Sequence, residues 1–280
     1  MKMKVYYGAL LSVPLFLSAV PAAMAGAESG QRDACAGLPS HSALKSALQV
    51  AQQQDNGGFG LQMWATLVNR DGVVCAVAFS GDNRGSQWPG SRVISAQKAN
   101  TANAFSLDGL ALSTANLYSA TQPDGGLYGL QESNPVETAV AYKGNSINYG
   151  APNDPMVGSK IGGVNVFGGG LALYNSSHKV IGGVGVSGDS SCADHNIAWR
   201  VRSTLELDYV PAGVSGDTSH PDNIVYDIDP ILGNAPLGSH VFAKLGVSPG
   251  GWGHPNCRSS DAADALVLPT IAGALPNIRP

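Results

Sequence analysis

Three glycines within 178–198, "HKVIGGVGVSGDSSCADHNIA", have a spacing that could cradle a phosphate. Gly183, Gly185 and Gly188 spell G-x-G-x-x-G after a β-prone run and before a helical one, and Asp208 lies twenty residues beyond Gly188. In a dinucleotide fold such glycines bring a pyrophosphate to a helix N-terminus, and the later acid meets the ribose. Just downstream, Asp194 and His195 adjoin at the start of the helical run, and Lys98 sits in an earlier one. A carboxylate, an imidazole and an ammonium could together move protons on a small anionic or aromatic molecule. Each also has a plainer explanation. Asp194 can be a capping acid, His195 a polar residue on an exposed first turn, and Lys98 part of a solvated helix face.

The elements that carry these residues decide between the readings. In 42–54, Leu44, Ala47, Leu48 and Ala51 share one helical face. Two β-prone runs in 61–80 flank Asn69-Arg70-Asp71-Gly72, and Asp-Gly in that setting predicts a hairpin. Val93, Ile94, Ala96, Ala99, Ala102 and Phe105 recur at helical spacing in 91–105, and a short helix is expected over about 109–120. The segment 121–163 is rich in Gly, Pro and Asn without sustained periodicity and reads as a long loop. A second hairpin spans 164–188, with Asn175-Ser176-Ser177-His178 at its tip. The last helix begins at Ser191, where Ser191-Cys192-Ala193-Asp194 reads as a capping box. Two hairpins with helices around them predict an α+β fold, one antiparallel sheet with flanking helices, and the strand–helix alternation of a doubly wound sheet is missing. The three glycines therefore fall inside a hairpin strand, where they thin the sheet for a close neighbour. The dinucleotide reading fails.

The ends and the composition place the chain. Lys2 and Lys4 precede an apolar run over 8–20, and Ala23-Met24-Ala25 supplies a small-x-small cleavage pattern, so 1–25 reads as a signal peptide. Export to the periplasm or beyond follows, with no membrane insertion of the mature chain. Charged residues make up 13 % and the net charge is −4, so no basic stripe exists for nucleic acid. Cys35, Cys75, Cys192 and Cys257 lack metal-site spacing and suit two disulfides in an oxidising compartment. Three pairings are open; Cys35–Cys75 with Cys192–Cys257 is favoured, the second pinning the tail to the body. The irregular segment 211–280 is rich in Pro and Gly and forms an extension packed on the domain of 26–210.

Two separated motifs carry a family resemblance. "GGGLALYNSSHKVIGGVGVSGDSSCADHNIA" has a glycine pair, a short strand, a hairpin tip and then Gly-Val-Ser-Gly before an acid that opens a helix. "LVNRDGVVCAVAF", a polar turn and "SAQKANTANAF" follow the matching order, with Lys98, Ala99, Thr101 and Ala102 in the second part. Together they resemble the GlcG/HbpS haem-binding family, which includes the carboxy-terminal domain of PduO-type proteins, over roughly residues 40–208. The sequence departs from that family at "FSGDNRGSQWPGS", in the swollen 121–163 segment and in the tail beyond 210.

The resemblance implies a profilin-like sandwich, assembly into a homo-oligomer and haem as ligand. Haem needs an apolar slot, an axial donor and partners for its propionates. No ligand motif carries over, so the axial donor is sought among His178, His195, His220, His240 and His254, with Met63, Met156 and the tyrosines behind them. His195 beside Asp194 leads, and Lys98 could neutralise a propionate; Arg84, Arg92, Arg200 and Arg202 could do the same. An acid–base enzyme using Asp194, His195 and Lys98, or an oligomeric assembly protein, are the alternatives. In "GWGHPNC" (251–257) a disulfide-anchored loop is expected rather than a metal site.

Overall fold

Apolar periodicity and turn chemistry place the first helix and hairpin. The structure is a computed structural model that describes residues 34–228, 248–257 and 268–272. The signal-peptide reading and His240 lie outside the described residues. Helix α1, His41–Gln52, is capped by the Ser40 hydroxyl, which accepts from the Ala43 N–H, and it buries Leu44, Ala47, Leu48 and Ala51. Strands β1 (Trp64–Asn69) and β2 (Val74–Phe79) form an antiparallel hairpin. Asn69 Oδ1 accepts from the Asp71 and Val73 N–H groups, and Gly72 takes the left-handed φ of 76° that closes the turn.

Helix α2 is Ser91–Ala104. Strands β3 (Gly170–Tyr174) and β4 (Val180–Ser187) make the second hairpin, followed by α6 (Ser191–Thr204). Short helices α3 (Tyr118–Thr121), α4 (Leu130–Ser133) and α5 (Thr138–Ala141) punctuate the segment between α2 and β3. The sheet order is β2-β1-β4-β3 with every neighbour antiparallel. This is the α+β architecture of two hairpins that the sequence predicts.

Side-chain alternation along β1 splits the core between two faces. Ala65 and Leu67 pack with α1 and α6, whereas Trp64 and Val68 pack with α2. Gly183 and Gly185 of β4 turn toward α2. A Cβ on Gly185 would come within 2.5 Å of the Ala99 backbone nitrogen, and one on Gly183 within 3.2 Å of Asn103 Cβ. Gly183 and Gly185 of the G-x-G-x-x-G motif thus let a helix backbone lie almost on the sheet.

Several local expectations need correction. Ser190, not Ser191, caps α6, its side chain accepting from the Ala193 N–H. The two adjacent serines are equivalent on propensity, and backbone direction decides between them. The helix expected over 109–120 shrinks to a 3-10 turn, Ala115–Leu117, leading into α3. Tertiary partners take its upstream backbone instead: Ala111 N–H donates to Ala212 O, and Leu112 N–H donates to the Ser106 hydroxyl. The second hairpin's ladder starts at Gly170 rather than near Val164, because Asn165 N–H is taken by Thr101 Oγ1.

Both disulfides form as favoured, Cys35–Cys75 and Cys192–Cys257. Parts of the tail lie on α6: Trp199 Nε1–H donates to Pro269 O, and Arg202 makes a buried pair with Asp222. Among the described residues no helix is long and apolar enough to cross a membrane.

Candidate functional site

Lys98 and Asp194 come together from opposite elements. Lys98 Nζ donates to Asp194 Oδ2 at 2.7 Å and to the Val186 carbonyl at 3.1 Å. Asp194 Oδ1 accepts from the Gly188 and Asp189 N–H groups at 3.1 and 2.9 Å. The acid therefore satisfies the turn before α6 while its other oxygen meets the ammonium. Each residue is only 2 % exposed. Lys98 does not sit on a solvated face, because 163–170 and the long central segment cover the outer side of α2: Asn100 Nδ2–H donates to Gly163 O, and Gly169 lies beside Lys98 Nζ. Burial pushes the Asp194 carboxyl up to about 6, with Lys98 and the backbone donors opposing. Held in this way, the pair ties α2 to the β4–α6 junction.

His195 is fully buried, contrary to an exposed first turn. Its ring lies 6.0 Å from that of Trp199, and Gly168 leaves room for its Cβ. Neither ring nitrogen has a hydrogen-bond partner among the described residues. Burial holds the imidazole down to about 3, so it is neutral across the physiological range. His195 adjoins Asp194 in sequence but shares no hydrogen bond with it or with Lys98.

The other candidates scatter. His178 sits at the hairpin tip with Nδ1 against Tyr209 O, and His220 pairs with Asp217. Met63 and Met156 are core residues. His254 is buried in the disulfide-anchored turn. Arg202 pairs with Asp222, and Arg200 reaches Asn56 and Gln54.

An open groove of about 630 Å³ lies elsewhere, at the start of α2. Its lining includes Trp64, Arg84, Val93, Tyr142 and Tyr149. Arg92 also borders it but is fully engaged. Its guanidinium pairs with Asp154 through two nitrogens, donates to Ala141 O through the third, and stacks 3.6 Å from the Tyr149 ring centroid. Gly150 closes the corner with φ 78°, since a Cβ there would come 2.8 Å from the Trp64 ring. Arg84 is exposed and has no partner among the described residues. The Tyr142 hydroxyl likewise has no partner among the described residues, and that residue is 66 % exposed. None of Lys98, Asp194 or His195 lines this groove.

The family model for haem degrading protein HbpS-like matches residues 40–202, more than half of the chain. The chain belongs to the HbpS-like family. No curated protein matches it. Among solved structures it is similar to a PduOC:heme complex, at 23 % identity over 58 % of this chain and 89 % of that one, with a TM-score of 0.40. It is similar to Klebsiella pneumoniae protein ORFY, of family DUF336, at 22 % identity over 60 % and 90 %, again with a TM-score of 0.40. HbpS itself aligns at 14 % identity over 59 % and 86 %, with a TM-score of 0.37.

The HbpS-like span contains Lys98, Asp194, His195 and the whole groove lining, and it stops short of the tail's Cys257. The groove joins the polar turn after β2 and the central segment to Trp64 of β1 and to Arg92 and Val93 of α2. Asn83, Arg84 and Gly85 come from the altered polar turn, and Tyr142, Ser146 and Tyr149 from 121–163. Sequence reasoning named Arg84 and Arg92 among four arginines and the tyrosines only as a class, and missed Trp64 and its grouping with Tyr142 and Tyr149. Aromatics inside an aperiodic Gly/Pro-rich segment were the available signal.

Proposed function

We propose that this HbpS-like chain is an exported haem-binding protein whose ligand sits in the groove between the 81–90 turn, the start of α2 and the 142–149 segment. The observation that carries the reading is one groove, about 630 Å³ in volume, that joins aromatic and aliphatic walls to a cation, Arg84, with no partner among the described residues. That volume lies within the usual range for small-molecule sites.

The residues present fit haem's needs. Trp64, Val93 and Tyr149 supply apolar wall, with Arg92 fixing the Tyr149 ring. Arg84, without a partner among the described residues, would take a propionate through a charge-assisted pair. Tyr142 offers a phenol oxygen of the kind that holds ferric haem in other proteins. Bound haem would supply a redox-active iron. Of the earlier candidates, Lys98 and Asp194 serve by fixing α2, whose first turn forms the groove wall, and the axial role passes from His195 to Tyr142.

Export, haem capture or buffering outside the cytoplasm, and assembly into a homo-oligomer belong to this reading. Two disulfides support an oxidising location. Haemin titration followed at the Soret band tests it. Arg84→Ala is expected to weaken saturable binding about tenfold, the scale of one lost charge-assisted pair. Binding that never saturates would count against the reading.

A further inference from the structure

The tail brings three metal-ligating side chains together at the start of α6, away from the groove. Cys192, His254 and Cys257 place their ligand atoms within 4.8 Å of one another. Cys192 and Cys257 are joined as a disulfide, so neither sulfur can ligate in this state. His254 is 1 % exposed and is already set as a ligand. Its Nδ1 lies 2.7 Å from the Pro255 carbonyl, which only accepts, so Nδ1 carries the proton and Nε2 keeps its lone pair. This is the backbone anchor that metal-bound histidines commonly use. Nε2 faces Ser191 Oγ at 3.2 Å, and the same Oγ lies 3.1 Å from Cys257 Sγ. The Cys192 N–H, in the first turn of a 14-residue helix, donates to Cys257 Sγ at 3.1 Å. A helix N-terminus and an N–H donor both favour thiolate over thiol.

We propose that reduction of Cys192–Cys257 creates a binding site for one thiophilic divalent cation such as Zn²⁺, held by Cys192 Sγ, Cys257 Sγ and His254 Nε2. Ser191 Oγ or a solvent oxygen takes the fourth position. A dithiol reductant gives two electrons and two protons to the disulfide and leaves as its own disulfide. The cation then displaces both thiol protons to solvent and accepts lone pairs from two thiolates and the imidazole. The geometry needs little change beyond the broken bond. Zn–S lengths of about 2.3 Å set the sulfurs about 3.8 Å apart in a tetrahedral site, and the imidazole already faces them. The oxidised chain is closed to the metal, so the site reports the redox state of its surroundings.

The test uses the purified full chain, reduced with a dithiol that is then removed anaerobically, and Co²⁺ as a spectroscopic stand-in for Zn²⁺. The reduced chain is expected to bind one Co²⁺ with intense thiolate charge-transfer bands and tetrahedral d–d bands, while the oxidised chain shows neither. Cys35→Ser/Cys75→Ser retains the bands, Cys192→Ser/Cys257→Ser loses them, and His254→Gln weakens Zn²⁺ at least tenfold in competition with a chromophoric chelator. Absent bands in the reduced chain, or equal bands in Cys192→Ser/Cys257→Ser, overturn the proposal. So does an unchanged Zn²⁺ affinity in His254→Gln. Loss of the native far-UV circular dichroism on reduction also overturns it, since the site exists only on the folded helix terminus.

Discussion

Lys98 Nζ and Asp194 Oδ2 stand 2.7 Å apart with both residues buried, an ion pair that spans α2 and α6 across the end of β4. The acid also holds the Gly188 and Asp189 N–H groups, so the turn that launches α6 depends on the same carboxylate. A buried pair of this kind contributes little over an apolar isostere, yet breaking it strands a charge.

Lys98→Met and Asp194→Ala are each expected to lower stability by about 3–5 kcal/mol, the range for an orphaned buried charge. Asp194→Ala should be the worse, because it also frees two backbone donors. Urea unfolding monitored by circular dichroism measures both, and Lys98→Met/Asp194→Leu should recover part of the loss. Equal, near-zero changes would mean that the pair is not what ties α2 to the junction.

Gly185→Ala should destabilise by about 2 kcal/mol or more through overpacking, because the new methyl meets the Ser95 carbonyl and the Ala99 nitrogen. Thermal melts of Gly185→Ala and the exposed control Gly109→Ala make the comparison. Gly109 has nothing within 4 Å of an added Cβ. Gly185 of the phosphate-like motif would thereby be assigned to packing.

Acid should unfold the chain earlier than its carboxylates alone would require. Burial holds His195 down to about 3 and His254 to about 4, against 6.5 in a free chain. The unfolded chain therefore binds these protons first, and stability falls as pH drops below about 6.5, by about 1.4 kcal/mol per pH unit for each histidine. Asp194, raised to about 6 by burial, works the other way between its ordinary 3.8 and 6, so the net slope there is shallower. Urea midpoints from pH 7 to 4 give the slope, and His195→Gln should reduce it by about one proton's worth. An unaltered slope would mean that His195 titrates normally.

The sheet and its principal helices were legible because their signals are local. Asp71-Gly72 set the first hairpin, and Leu44, Ala47, Leu48 and Ala51 marked the buried face of α1 as a four-residue stripe. The environment of the candidate residues was not local. Whether Lys98 meets water depends on 163–170 folding back over α2, and the first turn of α6 is partly covered by 254–257, linked through Ser191 to His254 and through Cys192 to Cys257. The groove was less legible still. Its walls depend on Arg92 finding Asp154 sixty-two positions away, and on Gly150 admitting the Phe79 and Trp64 rings. Neither contact leaves a periodic trace in 121–163.

If haem sits in the groove, Tyr142 and Arg84 hold it. Haemin titration of the wild type, Tyr142→Phe, Arg84→Ala and His195→Gln, read at the Soret band, tests it most directly. Saturable binding is expected in the wild type, with a displaced band in Tyr142→Phe, weaker binding in Arg84→Ala and an unchanged band in His195→Gln. A band that is displaced only in His195→Gln, with Tyr142→Phe and Arg84→Ala matching the wild type, would contradict the groove and return the ligand to the buried imidazole.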